Sequence, residues 1–285
     1  MSKIFYKYFL PVGAMQGKTS PSTSEHLTHP KYRSDIDGLR AIAVLSVVGF
    51  HAFGIIVGFI GVDVFFVISG FLISTIIFEN MEGDSFSFME FYGRRIRRIF
   101  PSLSVVLIFC LLFGWFVLFA DEYQQLGKHI AAGAGYVSNL TLWSESGYFD
   151  VVAEKKPLLH LWSLGIEEQF YIIWPLFVWG FWKSRLNFLC VLIAIITISF
   201  GLNIWQVNKD IVATFYSPQT RFWELLTGAC VAYALLFKQS LLKVFKEKAT
   251  LFSAIGFTLT PMPVSGTTKD ENNVLAIKQR VTVIH

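Results

Sequence analysis

Long apolar runs dominate this chain and leave it few ways to fold. Seven stretches, at about 40–58, 61–79, 99–120, 161–182, 186–206, 219–237 and more weakly 249–263, read as membrane spans. In hydrocarbon the backbone must satisfy its own hydrogen bonds, so a run of this kind becomes a helix or a strand of a closed barrel. These runs do not alternate apolar with polar residues, which excludes the barrel. Mean hydropathy is +0.54 and only 15% of residues are charged, too few for a soluble domain of this length. The expected fold is all-α, a polytopic transmembrane helix bundle of about seven spans.

Charge orders the spans. With the N-terminus in the cytoplasm, Arg94, Arg95, Arg97 and Arg98 fall inside, as do Lys183, Arg185, Lys238, Lys243, Lys246 and Lys248. This is the positive-inside pattern, and it requires an even number of crossings, or none, between Asp121 and Pro157. The helical-looking piece from Ile130 to Trp143 therefore reads as surface-lying or re-entrant. The net charge of +4 comes from Lys and Arg scattered between apolar runs, so no nucleic-acid partner is expected. Cys110, Cys190 and Cys230 sit within apolar stretches without ligand spacing, so no metal is expected either. Residues 1–31 read as a flexible cytoplasmic segment, 32–265 as the membrane domain and 266–285 as a polar tail. Phe5 to Val12 is too short, and is interrupted by Lys7, to read as a signal peptide.

Three constellations could carry chemistry. Arg40 opens the first apolar run and His51 follows eleven residues later, which puts both on one helical face about 16 Å apart. An imidazole expected near the bilayer middle is a functional-site candidate. The second constellation is Phe91-Tyr-Gly-Arg94-Arg95-Ile-Arg97-Arg98-Ile-Phe-Pro101, with Pro101 opening the third span. Its guanidinium groups suit phosphate oxygens, although an ordinary topology signal would look the same. The third runs from His160 to Tyr171, where Ser163, Glu167 and Tyr171 share a helical face. Such a polar stripe faces a cavity or glues helices together. Asp63 and Glu224 are further buried acids, either of which could orient His51. Asn139-Leu-Thr141 matches the glycosylation sequon, a weak signal.

These motifs also carry a resemblance. Tyr32-Arg-Ser-Asp35-Ile-Asp37-Gly38-Leu39-Arg40, followed by His51, resembles the opening Arg-x10-His motif of the acyltransferase family 3 membrane proteins. Gly61-Val-Asp63-Val-Phe-Phe-Val-Ile-Ser69-Gly70-Phe-Leu-Ile is similar to that family's second helix. The arginine block, the His160 to Tyr171 stretch and Tyr216-Ser-Pro-Gln-Thr220-Arg221-Phe-Trp223-Glu224-Leu-Leu-Thr-Gly228 match in the same order.

The resemblance implies a transferase of the bacterial cytoplasmic (inner) membrane. It would move an acyl group, usually acetyl, from acyl-CoA to a hydroxyl of a surface or exported glycan such as lipopolysaccharide O-antigen or peptidoglycan. The bilayer, acyl-CoA (usually acetyl-CoA) and the glycan acceptor are the implied partners. The positions of Arg40 and His51 are held essential in the family, and the basic loop is associated with the donor. Family members typically carry more spans than are read here, some with a fused extracytoplasmic hydrolase-like domain.

The assignment that follows makes His51 the base, aided by Arg40 and Glu167. Arg94, Arg95, Arg97 and Arg98 would bind the donor, and Asp63, Ser163 and Tyr171 the acceptor. A proton-coupled transporter or flippase, with His51, Asp63 and Glu167 as protonation sites, remains a second reading. An inactive short form of the family is a third.

Overall fold

A computed structural model describes residues 34–53, 60–145, 156–182 and 187–238. Among them every regular element is a helix: α1 (Ser34–Phe53), α2 (Ile60–Glu82), α3 (Phe88–Val117), α4 (Ala120–Ala134), α5 (Ser138–Glu145), α6 (Leu161–Trp182), α7 (Phe188–Val207), α8 (Ile211–Tyr216) and α9 (Pro218–Phe237). Four of these, α1, α2, α3 and α7, are long and apolar enough to cross a membrane. The runs expected to span at 161–182 and 219–237 form the helices α6 and α9. Their polar residues, Glu167, Glu168 and Gln169 in one and Arg221 and Glu224 in the other, keep them outside that group. The expected run at 249–263, the tail at 266–285 and the segment 1–31 lie outside the described residues.

The bundle is built around α2 and α9, which share its largest interface, with α7 against α9 and α1 against α2. Glycines set the closest approach. A Cβ at Gly70 would fall onto the Leu225 carbonyl, and one at Gly228 onto the Val67 carbonyl, so the two backbones touch. Around this contact lies an aromatic core. Phe78, fully buried, stacks on Trp182 and meets Trp174, Phe188 and Tyr233 edge-on. By contrast α1 and α3 turn apolar side chains outward, among them Ile42, Leu45, Phe109, Leu112 and Phe116. Exposed apolar helix faces of this extent are the mark of a lipid-facing surface.

Two sequence expectations change. Pro101 does not open a span; it lies inside α3, and the arginine block forms the first turns of that same helix. Proline removes one N–H and one i→i−4 bond, a loss that a long helix survives. The start was signalled by Ser87-Phe-Met-Glu90, in which the Ser87 hydroxyl accepts the Glu90 N–H. The piece from Ile130 to Trp143 is also not continuous. Tyr136, at φ 56°, breaks it between α4 and α5. Neither piece is long and apolar enough to cross a membrane. Asn139 is fully buried, donating to the Tyr216 carbonyl (3.0 Å) and accepting from Gln169 (2.8 Å). The sequon is therefore inaccessible and serves packing.

Candidate functional site

The four arginines of α3 lie in different surroundings. Arg95, half-buried, and Arg98, exposed, line a cavity of about 400 Å³. Arg94 pairs with Glu90 one turn earlier, and Arg97 is exposed. The cavity draws one wall from each of four helices: Asp37 and Arg40 from α1, Phe65 and Ser69 from α2, Arg95 and Arg98 from α3, and Leu164, Glu167 and Tyr171 from α6. Its volume falls in the ~300–1,000 Å³ range of ligand pockets.

Its polar groups are arranged. Tyr171 is buried and donates its hydroxyl to Glu167, with which it shares a face one turn apart. The Arg95 guanidinium lies 4.3 Å from the centre of the Tyr171 ring, a cation–π contact that fixes the arginine at the wall. Arg40 is only loosely held by Asp37, at 3.9 Å. Glu168, which the sequence reading passed over, is buried behind the wall within electrostatic reach of Arg95 and Arg98. Three guanidinium groups thus meet at one cavity, and their donors can take phosphate oxygens bidentately.

His51 is not in this cavity. It sits in the last turn of α1, exposed, and not half-way along the described helix. Its ring meets His160, in the turn ahead of α6, at 4.4 Å between centroids and 67° between planes. Partial desolvation, and then the neighbouring His51, hold His160 below the ordinary histidine range. Leu164, in the cavity wall, is one helical turn from His160.

The remaining residues go elsewhere. Neither Asp63 nor Ser163 lines the cavity. Ser163 donates to the His160 carbonyl at 3.2 Å. The acid thought available to orient His51 is bound by a partner that sequence reasoning missed. Arg221, buried between α2 and α9, donates to Asp63 (3.2 Å) and to Glu224 (2.7 Å), with Trp162 and Phe215 against its guanidinium. A second cluster joins α4 to α5: Glu145 accepts from Lys128 (2.7 Å), His129 (2.9 Å) and Lys156 (3.1 Å). Burial by itself would raise the Glu145 carboxyl, but the bonds from Lys128 and Lys156 and the charge of His129 outweigh it and bring it below its ordinary value. Among the described residues no group of His, Cys, Asp and Glu could hold a metal ion.

Comparison with known proteins adds a further observation. A family model described as an acyltransferase domain matches residues 33–274. YrhL of Bacillus subtilis is 39% identical over 217 residues, which cover 72% of this chain and 33% of that protein. The peptidoglycan O-acetyltransferase OatA of Listeria monocytogenes is 37% identical over 216 residues, 71% of this chain and 34% of the relative. The O-acetyltransferase OatA of Staphylococcus aureus is 36% identical over 219 residues, 73% of this chain and 36% of the relative. The chain spans about a third of the length of the curated relatives it matches. No solved structure matches it.

Proposed function

The chain belongs to the acyltransferase family whose model it matches, and on that premise we propose that it is a membrane O-acetyltransferase for an exported glycan. Peptidoglycan is the favoured acceptor, because all three relatives carry O-acetyltransferase names and two of those names specify peptidoglycan. The donor is acetyl-CoA, taken from the cytoplasm. In this reading the protein sits in the bacterial cytoplasmic membrane with its N-terminus inside, and α6, α9 and the run at 249–263 cross as well, giving about seven spans.

The observation that carries the proposal is the cavity that gathers Arg40, Arg95 and Arg98 from helices far apart in sequence. Arginine clusters facing a ligand-sized cavity recognise phosphate, which the coenzyme supplies and a neutral sugar does not. Arg95 and Arg98, with the neighbouring Arg94 and Arg97 adding positive field, hold the donor, and Arg40 holds a phosphate or the developing oxyanion. Glu167 and Tyr171 set the polar wall along which the acyl arm lies, and Asp63 and Ser163 shape the far end. His51 takes the proton of the acceptor hydroxyl as its oxygen attacks the thioester carbonyl. The C–O bond forms, the C–S bond breaks, and the coenzyme leaves as a thiolate that recovers the proton.

The test is reconstitution of this 285-residue chain into proteoliposomes with radiolabelled acetyl-CoA and soluble muropeptides. Acetyl transfer in the unsubstituted chain, lost in His51→Ala and Arg40→Ala at equal membrane levels, is the expected result. Movement of saccharide across the bilayer without any thioester would replace the enzyme with the transporter reading.

A further inference from the structure

Two imidazoles from distant parts of the chain meet where α1 finishes and α6 begins. At 4.4 Å and 67° the edge of one ring faces the π-face of the other. An imidazole that draws a proton becomes a cation, and it works as a base only if a neighbour fixes its second ring nitrogen and shares the charge. A carboxylate usually does this. Among the described residues neither ring has one: Asp63 of α2 and Glu224 of α9 are both held by Arg221. Nothing charged lies within a turn of His51 on α1, and Glu167 and Glu168 of α6 begin two turns beyond His160. His51 is therefore the titratable group that faces His160, and an edge-to-face ring contact, not a carboxylate, is what orients it.

We propose that His160 is the positioning residue for His51, holding its ring by the edge-to-face contact and supporting the charge that ring gains on taking the proton of the acceptor hydroxyl. The inference rests on the reading of His51 as the base. Its chemistry balances within that reaction: the hydroxyl proton passes to His51 as the C–O bond forms, and leaves it for the departing thiolate. Partial desolvation and the adjacent ring disfavour protonation of His160, so the charge gained stays on His51. Both rings are exposed, so a hydroxyl can approach them from outside the donor cavity.

The pairing is tested on the full chain in detergent by ¹⁵N-histidine NMR titration of the unsubstituted protein, His160→Gln and His51→Gln. Removing His51 should move the His160 titration upward, since His51 is one of the two causes that depress it. An unchanged His160 titration in His51→Gln overturns the proposal, whether or not the chain turns over. With activity, His160→Gln should lower kcat for acetyl transfer on the order of tenfold to a hundredfold and move the acid limb of its pH profile. The KM for acetyl-CoA should stay unchanged. A wild-type kcat and pH profile would equally overturn it. No transfer by the unsubstituted chain sinks the base reading instead, while the titration shift still decides the pairing.

Discussion

Arg221 and Arg98 bring the same charged group into the same bundle, and the protein keeps them in opposite states. Arg221 is 4% exposed and engaged by two carboxylates and two aromatic rings. Arg98 is exposed and lines a cavity with Arg95, whose guanidinium lies over the Tyr171 ring. A buried charge is tolerated only when its partners satisfy it, so the first arrangement joins α2 to α9 and has little capacity left for a ligand. The second gives up that saturation and keeps the capacity. In an apolar helix bundle, the arginines available for chemistry are those the fold leaves incompletely satisfied.

The sharpest way to break this contrast is Arg221→Met, which strands Asp63 and Glu224. The expected loss is about 3–5 kcal/mol, read as a fall in thermal unfolding temperature in detergent. Adding Asp63→Asn and Glu224→Gln should restore most of it; an unaffected single variant would show that the cluster is not structural. Gly228→Val presses a side chain onto the α2 backbone and should cost on the order of 1–3 kcal/mol by the same assay.

The double variant Arg95→Gln/Arg98→Gln should behave in reverse. Stability should change by no more than about 0.5 kcal/mol, while acetyl-CoA affinity in a binding assay drops roughly tenfold or more, about 1.4 kcal/mol. Equal affinity would reduce these residues to a topology signal. Glu145 sits between the two extremes. Its carboxyl is depressed in the folded protein, so its contribution is present at neutral pH and is lost as pH falls through the folded value. Glu145→Gln should cost about 1 kcal/mol at pH 7 and flatten the acid side of the stability profile. Arg97→Ala, at an exposed site, should alter stability by less than about 0.5 kcal/mol.

The apolar runs made α1, α2, α3 and α7 legible, because membrane-crossing length and composition are local properties. The short helices α4 and α5 fall in the stretch that the charge pattern reads as surface-lying or re-entrant, and neither is long and apolar enough to cross. Pro101 looks like a boundary because proline costs a helix one bond, but the Ser87/Glu90 cap marks the helix start fourteen residues earlier. Arg94 and Arg98 are neighbours on the helical wheel, so periodicity alone does not tell the cavity arginines from the others. The pairings His51 with His160 and Asp63 with Arg221 cross more than a hundred residues, and nothing local encodes them. Composition brought each of these residues to notice; only tertiary packing decided their company.

The backbone contact at Gly70 and Gly228 has a mechanical consequence. Helices that touch carbonyl to Cα cannot slide without collision, so α2 and α9 act as a stiff post. Breathing of the cavity then falls to α1 and α3, which bury few residues: α1 leans on the post, while α3 packs on α4. Because Arg40 and His51 ride on one rod, any tilt of α1 moves the proposed donor clamp and the proposed base together, and their spacing is preserved through the motion.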